Sequence, residues 1–472
     1  MQKALAIKLC VIGLIALILL IPLGMISEKI YERNDYLQSA KYSVSQSWTG
    51  AQELMGPILV IPYTTTDYVD VWNKDETKKH KKEVVRHRKL FINPESLSIK
   101  SQIENDLRYK GIYKVPVYTG TFDVSGAFDQ TRIQKELVRI FGSAEKVELS
   151  KPYLFSTVFD PRGINSIPQL RWLNQTIKFL PGSKFSSNGN GIHAFVPGIA
   201  KDIHESKETD DQANPLTSLD FSYQLVLRGM ESISFVPTGV ETQVSVTSDW
   251  PHPEFTGMFL PVERSISEAG YQATWKTTSF ANNINEKVAN CANGECADLI
   301  SSGFGVKHIE TIDVYQQSDR ALKYGILFIG LTFISFFIFE IVKKLPIHAI
   351  QYTLVGFANA IFYLLLVSLS EHLAFGVSYA VASVACIALL MFYLSFVLKG
   401  FKLAALYSGL LSVLYLCLYL IISSEDLAFL MGSTLTFVIL VIVMVVTRNI
   451  DWYDLGDRAA AEKFTKSTED EK

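Results

Sequence analysis

Two histidine–glutamate pairs are candidates for chemistry in this sequence. His252 lies between two prolines and two residues before Glu254, and Glu371 is followed directly by His372. A histidine near a carboxylate can serve as a base or a ligand, because the ordinary pKa of its ring is close to neutral pH. The four residues could form one weak polar site. The competing interpretation is that each pair marks a polar turn, since no further histidine or cysteine stands at ligand spacing.

Two of the five cysteines form a separate candidate site. Cys291 and Cys296 bracket an Asn-Gly pair that favours a turn. In an oxidising compartment these thiols can close a small disulfide loop. The alternative is two free thiols, and a metal site would need ligands that the sequence does not place nearby. Cys10, Cys386 and Cys417 lie in apolar stretches and are interpreted as packing residues.

Signatures of common enzymes are missing from the sequence. It contains no P-loop, no HExxH, no GxSxG and no GxGxxG that opens a helix after a strand. We therefore assign no catalytic, cofactor-binding or metal-binding residue and expect a protein that is not an enzyme and has no cofactor. The formal net charge of −3 also gives no basic domain for a nucleic-acid partner.

Long apolar segments must position these side chains. Each has about the 20 residues that a helix needs to cross a bilayer, and only a helix satisfies the backbone of an uninterrupted apolar run. The six segments are Leu9–Ile26, Tyr324–Val342, Ala349–Leu369, Phe375–Leu398, Leu403–Ile422 and Leu427–Val446. The first could be a cleaved signal peptide, but no small-x-small site follows it, which favours a retained signal anchor.

The charges between these segments predict the orientation. Basic and acidic loops alternate along the chain: Lys3 and Lys8, Lys343 and Lys344, Glu371 and His372, Lys399 and Lys402, Glu425 and Asp426, and Arg448. Because basic loops stay in the cytoplasm, both termini are predicted inside and 27–322 outside. The predicted domains are an anchor (1–26), a β-rich outer domain (27–322), a five-helix bundle (323–447) and a cytoplasmic tail (448–472).

The sequence pattern of residues 27–322 predicts many β-strands. Segments that alternate or are rich in β-branched residues recur between Gly and Pro at 58–63, 113–126, 219–229, 231–237 and 241–250. Many short strands with no helix between them favour antiparallel sheets. The predicted fold is an α+β membrane protein with six transmembrane helices and a large antiparallel, β-sandwich-like domain. The pattern leaves open whether that domain is one β unit or two.

Two further features each allow two interpretations. The dense basic run at 74–89 reads as a solvated hairpin between strands, or as a surface for anionic head groups and lipopolysaccharide phosphates. Glu340 is an acid within a predicted membrane helix, where such residues suggest function. Lys343 and Lys344 are about one turn away, so simple pairing with them is the alternative.

Several sequence blocks together resemble the CreD family of inner-membrane, cell-envelope integrity proteins. These blocks are ERNDY (32–36), GPILVIP (56–62), SDWPHPEFTGMFLP (248–261), SDRALKYGILFIGLTF (318–333), LSEH (369–372), VLKG (397–400) and VTRNIDWY (446–453). The resemblance implies a Gram-negative bacterial inner-membrane protein, so that the outer domain 27–322 would be periplasmic. It also implies expression under a two-component system and an association with envelope integrity, colicin tolerance and β-lactam susceptibility. It supplies no catalytic residue. The basic run, the Cys291/Cys296 loop and the polar tail are not family features.

The leading hypothesis is a non-enzymatic envelope protein whose β domain contacts envelope components. Its partners would be the lipid bilayer and periplasmic or inner-membrane proteins. The alternative is a membrane-embedded enzyme or transporter acting on a lipid-linked or cell-wall substrate, which requires the two histidine–glutamate pairs to converge. A sensor is a third hypothesis, and it would need a separate cytoplasmic effector because the inner loops are short.

Overall fold

The chain forms two compact units in its computed structural model. One comprises 1–38 and 312–472, and the other 39–311. We refer to them as the helical unit and the β unit. The described residues are 2–72, 79–185, 189–199, 218–309, 314–343, 347–398, 400–424 and 427–448. Two predictions concern residues outside these ranges: that 205–215 form a loop, and that 448–472 form a cytoplasmic tail, of which only residue 448 is described.

Helices make up the described part of the helical unit and a small share of the β unit. In chain order they are α1 (Gln2–Ile18), α2 (Leu20–Ser47), α3 (Gln130–Phe141), α4 (Ser279–Asn282), α5 (Ile284–Ala292), α6 (Ala297–Ser301), α7 (Val314–Lys323), α8 (Gly325–Lys343), α9 (Ala349–Ser370), α10 (Phe375–Val397), α11 (Phe401–Ser423) and α12 (Ala428–Thr447). Five helices of the described chain are long and apolar enough to cross a membrane, and a sixth span results if α7 and α8 count as one. The predicted set of apolar helices is therefore confirmed.

The second predicted span is bent. The axes of α7 and α8 differ by 44°, and α7 is polar along most of its length whereas α8 is almost wholly apolar. Gly325 opens α8, and a Cβ there would lie 3.3 Å from the ring of Tyr363 and 3.4 Å from Leu23. The missing side chain thus lets the three segments pack closely at the bend.

Strands form the body of the β unit. They are β1 (Gln52–Trp72), β2 (Lys79–Ile92), β3 (Ser96–Lys110), β4 (Tyr113–Asp129), β5 (Lys146–Leu149), β6 (Tyr153–Val158), β7 (Gln169–Trp172), β8 (Gln175–Lys178), β9 (Leu180–Pro181), β10 (Ile192–Phe195), β11 (Ser218–Met230), β12 (Ser232–Val236), β13 (Glu241–Ser248), β14 (Pro253–Gly257), β15 (Glu263–Ser267), β16 (Gly270–Thr278) and β17 (Phe304–His308). In the described chain, nine of them form the sheet ordered β14-β17-β12-β1-β6-β10-β9, in which β2 and β5 also pair with β1. The other eight are ordered β15-β16-β13-β3-β4-β11-β7-β8.

The two sheets share one hydrophobic core. Alternate residues of β3 point inward, including Leu97 and Ile99, as a period of two requires. They pack in a single buried cluster with side chains of the other sheet, such as Phe235 and Phe304. The open question of one β unit or two is answered by this shared core: 39–311 is a single sandwich-like unit.

Two details of the β unit differ from the sequence-based expectation. β1 pairs in parallel with β12, and β13 with β3, within otherwise antiparallel sheets. Helices also interrupt the strands: α4, α5 and α6 lie between β16 and β17, and α3 lies between β4 and β5, where it buries Ile133, Leu137 and Ile140 along one face. This i, i+4, i+7 spacing is a helix signal that the strand-rich surroundings hid.

Candidate functional site

The two predicted histidine–glutamate pairs belong to different units. His252 and Glu254 lie at the start of β14 in the β unit, where the His252 carbonyl accepts a hydrogen bond of 3.1 Å from the Ile309 N–H. Glu254 is exposed and opposite Lys307 of β17. Glu371 and His372 follow α9 in the helical unit. His252 and Glu254 therefore lie where the chain turns into β14, which agrees with the interpretation of this segment as a turn that starts a strand.

In the helical unit, Glu371 forms an ion pair with Arg33. The Arg33 Nε lies 3.1 Å from Oε1 of the carboxylate. Glu371 is the C-cap residue of α9, where the partial negative charge of the helix end disfavours a carboxylate. The guanidinium offsets that repulsion and ties α2 to the end of α9. His372 is exposed, and its N–H donates to the Leu369 carbonyl at 3.0 Å.

Glu340 has partners that its position in the sequence did not indicate. Its carboxylate is 8% exposed and pairs with Lys8, which also donates to the Ile347 carbonyl at 3.0 Å. The Tyr352 hydroxyl donates to Oε2 at 2.7 Å, and the Ile347 N–H approaches Oε1 at 3.4 Å. These contacts join α1, α8 and α9. The expected pairing with Lys343 is not formed, and Lys344 lies outside the described residues.

A polar cluster also lies inside the helical unit, between α9, α10 and α11. The Tyr415 hydroxyl is 3.4 Å from Oδ1 of Asn359 and 3.2 Å from Sγ of Cys386. The Tyr379 hydroxyl donates to the Tyr415 carbonyl at 2.7 Å. Nδ2 of Asn359 and the hydroxyl of Tyr363 are buried with no hydrogen-bond partner among the described residues. Of this cluster, the sequence analysis named only Cys386, which it interpreted as a packing residue.

The β unit contains a buried histidine that sequence reasoning missed. Nε2 of His308 lies 3.0 Å from the Tyr271 hydroxyl, and its ring centroid is 5.9 Å from that of Trp250. Burial lowers the pKa of His308 to about 4, and Asp249 opposes this only partly. The imidazole is therefore neutral near pH 7. The signal was the alternation Phe304, Val306, His308, which places the histidine on the inward face of β17.

The residues around His308 explain why the SDW block is ordered. Asp249 accepts hydrogen bonds from the backbone N–H of Asn105 at 3.1 Å and from its Nδ2 at 2.6 Å. The Ser248 hydroxyl accepts from the same Nδ2 at 2.9 Å and from the Trp250 N–H at 3.2 Å. These bonds hold the end of β13 against β3. They satisfy polar groups of the strand ends.

Cys291 and Cys296 are joined in a disulfide in the β unit, with Cα atoms 4.0 Å apart. Cys291 is buried at the end of α5, in a small apolar cluster with Ile284, Val288 and Leu299. The bond closes the turn between α5 and α6. The pairing therefore has a structural role, because it holds two short helices together over this cluster.

A surface cleft of about 530 Å³ lies elsewhere in the β unit. Its lining comes from three segments, namely Pro161 with Ile164–Pro168, Phe179–Gly182, and Gly189–Ile192. None of these lining residues is titratable. Within the described part of the chain, no group of three His, Cys, Asp or Glu side chains could hold a metal ion. The cleft can bind through apolar contacts, backbone groups and the side chains of Asn165, Ser166 and Asn190, and its lining residues offer no acid–base pair.

Comparison with known proteins gives the family. A family model described as inner membrane protein CreD matches residues 4–453. Inner membrane protein CreD of Escherichia coli (strain K12) is 35% identical over 459 residues, which cover 96% of this chain and 95% of that protein. The chain belongs to the CreD family. The resemblance found in the sequence blocks is thereby confirmed.

Membership agrees with the architecture of both units. The matched range of the CreD family contains the whole β unit and all the apolar helices described above. This CreD family member is thus an inner membrane protein with several membrane-spanning helices. The ion pairs Lys8–Glu340 and Arg33–Glu371 belong to that matched range as well.

Proposed function

We propose that this CreD family member supports cell-envelope integrity and tolerance of envelope stress without catalysing a reaction. In this proposal the helical unit anchors the chain in the inner membrane, and the β unit lies in the periplasm and contacts envelope components. The observation that carries the proposal is that two acidic side chains of the helical unit are paired with basic side chains. Glu340 and Glu371, the two acids weighed as chemical candidates, are each held by a cation of another helix.

Such pairing favours a structural role for both carboxylates. Charged side chains within the membrane mark pathways or relays when they face a water-filled cavity. Here Lys8 and Tyr352 occupy the two oxygens of Glu340. A transporter would also be expected to have broken helices near the middle of the bilayer, whereas α9, α10 and α11 are continuous over 22, 23 and 23 residues. Both observations support an anchor.

The periplasmic placement has two independent supports. The charges of the short loops alternate in the way that the positive-inside rule requires. The Cys291–Cys296 disulfide also suits an oxidising compartment, since cytosolic thiols are kept reduced.

Cysteine labelling tests this orientation. Ser265 on β15 and Lys343 at the end of α8 are both exposed. We expect a membrane-impermeant maleimide to label Ser265→Cys in cells with a permeabilised outer membrane and to leave Lys343→Cys unlabelled until the inner membrane is opened. The wild-type chain, with its three free cysteines, is the background control. Labelling of Lys343→Cys alone would reverse the proposed orientation.

Complementation tests the absence of chemistry. In a strain that lacks the protein, we expect His252→Ala, Glu254→Ala, Glu371→Gln and His372→Ala to restore envelope-stress resistance at normal membrane abundance. Each exchange removes a titratable group and leaves the rest of the chain unchanged. Failure of one well-expressed variant would contradict the non-enzymatic proposal and would locate a site at that position.

A second candidate function is a membrane-embedded enzyme or transporter acting on a lipid-linked or cell-wall substrate. The observation that favours it is the pair of buried, unpartnered groups on Asn359 and Tyr363. The variant Asn359→Leu with Tyr363→Phe removes both groups. Loss of resistance with unchanged abundance and melting temperature would favour this candidate over the first.

A further inference from the structure

The described part of the basic run lies on β2, which forms a three-stranded ribbon with β1 and β5 in the β unit. β2 pairs antiparallel with β1 from Ile92 opposite Leu59 to Lys79 opposite Trp72. On the other side, β5 pairs only with Tyr63–Thr66 of β1. Beyond Thr66, β1 and β2 therefore continue as a hairpin arm. This geometry agrees with the hairpin interpretation of the run, whose residues 74–78 lie outside the described ranges.

The strand register sorts the charges of this ribbon onto two faces. Residues directly opposite each other share a face, and neighbours along a strand point to opposite faces. Lys82, Arg86 and Arg88 are even-numbered positions of β2 and therefore lie on one face. Their partners on β1 are Val69, Thr65 and Tyr63 respectively. We call this the cationic face.

The opposite face has a balanced set of charges. Lys81 is opposite Asp70, and Glu83 is opposite Tyr68. On β5, Nζ of Lys146 lies 2.6 Å from a carboxylate oxygen of Glu148. Opposite charges thus face or neighbour each other on this side, as expected of a solvated surface.

The cationic face has an excess of positive charge. Lys82, Arg86 and Arg88 are exposed, and none of their side chains forms an ion pair or hydrogen bond with a described residue. The described acid on the same face is Asp67, opposite Val84. Val69, opposite Lys82, is 45% exposed. Exposed cations beside an apolar side chain are suited to a surface that offers phosphate groups above hydrocarbon.

We propose that the cationic face binds the phosphate groups of an anionic lipid surface. The inference rests on the proposed function, since it names the envelope component that the β unit contacts. Lys and Arg at this face would act through plain electrostatics, so the contact would weaken as salt rises. Each basic side chain near an anionic membrane contributes roughly fivefold in affinity, hence the three together on the order of 100-fold at low salt.

Vesicle cosedimentation of the full chain tests the inference. The protein is held in nanodiscs of zwitterionic phosphatidylcholine and mixed with sucrose-loaded vesicles, made either of phosphatidylcholine alone or with 30% phosphatidylglycerol as a chosen probe (roughly the range in which polybasic binding is expected). Empty nanodiscs measure the background. We expect binding only to the anionic vesicles, and we expect it to fall steeply between low and physiological salt.

Matched charge removal decides whether the face matters. The variant Lys82→Gln, Arg86→Gln, Arg88→Gln removes three charges from the cationic face, and Lys81→Gln, Lys89→Gln, Lys146→Gln removes three from the opposite face. We expect the first to lose on the order of 100-fold in binding and the second to lose less than about threefold. Equal losses would show that net charge alone drives binding and would overturn the inference.

Other results overturn it as well. Binding to phosphatidylcholine vesicles alone, or no binding to anionic vesicles, excludes the proposed ligand. Circular dichroism of each variant, compared with wild type, shows whether the β unit is folded. If the cationic-face variant has an altered spectrum, it is replaced by the double variant Arg86→Lys, Arg88→Lys. This variant keeps both positive charges and must therefore retain binding. The proposed function is judged separately, because complementation can succeed when vesicle binding fails.

Discussion

Lys8 and Glu340 are 332 residues apart in the sequence and form a partly buried ion pair within the helical unit. The pair joins the first helix of the chain to α8, and Tyr352 of α9 adds a hydrogen bond of 2.7 Å to the same carboxylate. Removing one charge leaves the other buried and uncompensated, which is far more costly than removing both. The pair therefore makes α1 an integral part of the bundle.

The first prediction is a double-mutant cycle on this pair. We expect Lys8→Met and Glu340→Gln each to lower the free energy of unfolding by about 1–3 kcal/mol, since the pair is partly buried, and the double variant to lose much less than the sum. Tyr352→Phe, the matched control, should cost about 1 kcal/mol. The measurement is chemical unfolding of the protein in detergent. Additive losses for the two exchanges would show that the charges do not interact.

The second prediction concerns the contact between α1 and α9. A Cβ on Gly356 would lie 2.2 Å from Cδ1 of Leu19 and 2.9 Å from the ring of Phe333. Gly356→Ala should therefore destabilise the protein by about 1–3 kcal/mol through overpacking, and Leu19→Ala in the same chain should restore part of the loss. Gly330→Ala, where a Cβ would meet nothing within 4 Å, is the control. No rescue by Leu19→Ala would mean that α1 does not pack there.

An N-terminal epitope checks the same contact in cells. Since Leu19, directly after α1, packs against α9, we expect the epitope to remain on the mature protein at full length. Loss of the epitope on an immunoblot would mean that α1 is removed as a signal peptide.

The third prediction is a pH dependence of stability in the β unit. Burial lowers the pKa of His308 from 6.5 to about 4, so the folded protein binds fewer protons than the unfolded chain between these values. The contribution of the neutral His308 to the free energy of unfolding is therefore fully present above about pH 6.5. It is lost as the pH falls from 6.5 towards 4, by about 1 kcal/mol per pH unit. Unfolding followed by tryptophan fluorescence from pH 4 to 8 measures it.

The control for this pH dependence is His308→Gln. Glutamine keeps a polar group near the Tyr271 hydroxyl and has no titration in this range. The variant should be less stable at pH 7, and its stability should change less between pH 6.5 and pH 4 than that of the wild type. An unchanged slope would assign the pH dependence to other groups.

The fourth prediction concerns the Cys291–Cys296 disulfide. The bond closes a loop with a sequence separation of 5, for which the loop-entropy model gives about 2 kcal/mol. We expect Cys291→Ala, Cys296→Ala and the double variant to lose similar amounts, because each breaks the same bond. Reducing agent should lower the wild type to the same level. A double variant as stable as the oxidised wild type would contradict the structural role.

The sequence alone determined the elements with a strong period or a long apolar run. About 20 residues without charge can satisfy their backbone in a bilayer only as a helix, so α9 to α11 were predictable to within a few residues. The alternation in β11 and β13 likewise predicted their inward faces. Helix α3 carried its own amphipathic signal, which was outweighed by the strands around it.

Only the tertiary structure decided which distant residues meet. The sequence placed Glu340 near Lys343, yet the fold pairs it with Lys8, because a helix in a bundle buries the face that its neighbours cover. The parallel pairing of β1 with β12 depends on contacts far apart in the chain. The sequence showed that basic residues are concentrated at 74–89. Their division into a cationic and a balanced face depends on the strand register, since a slip of one residue exchanges the two faces.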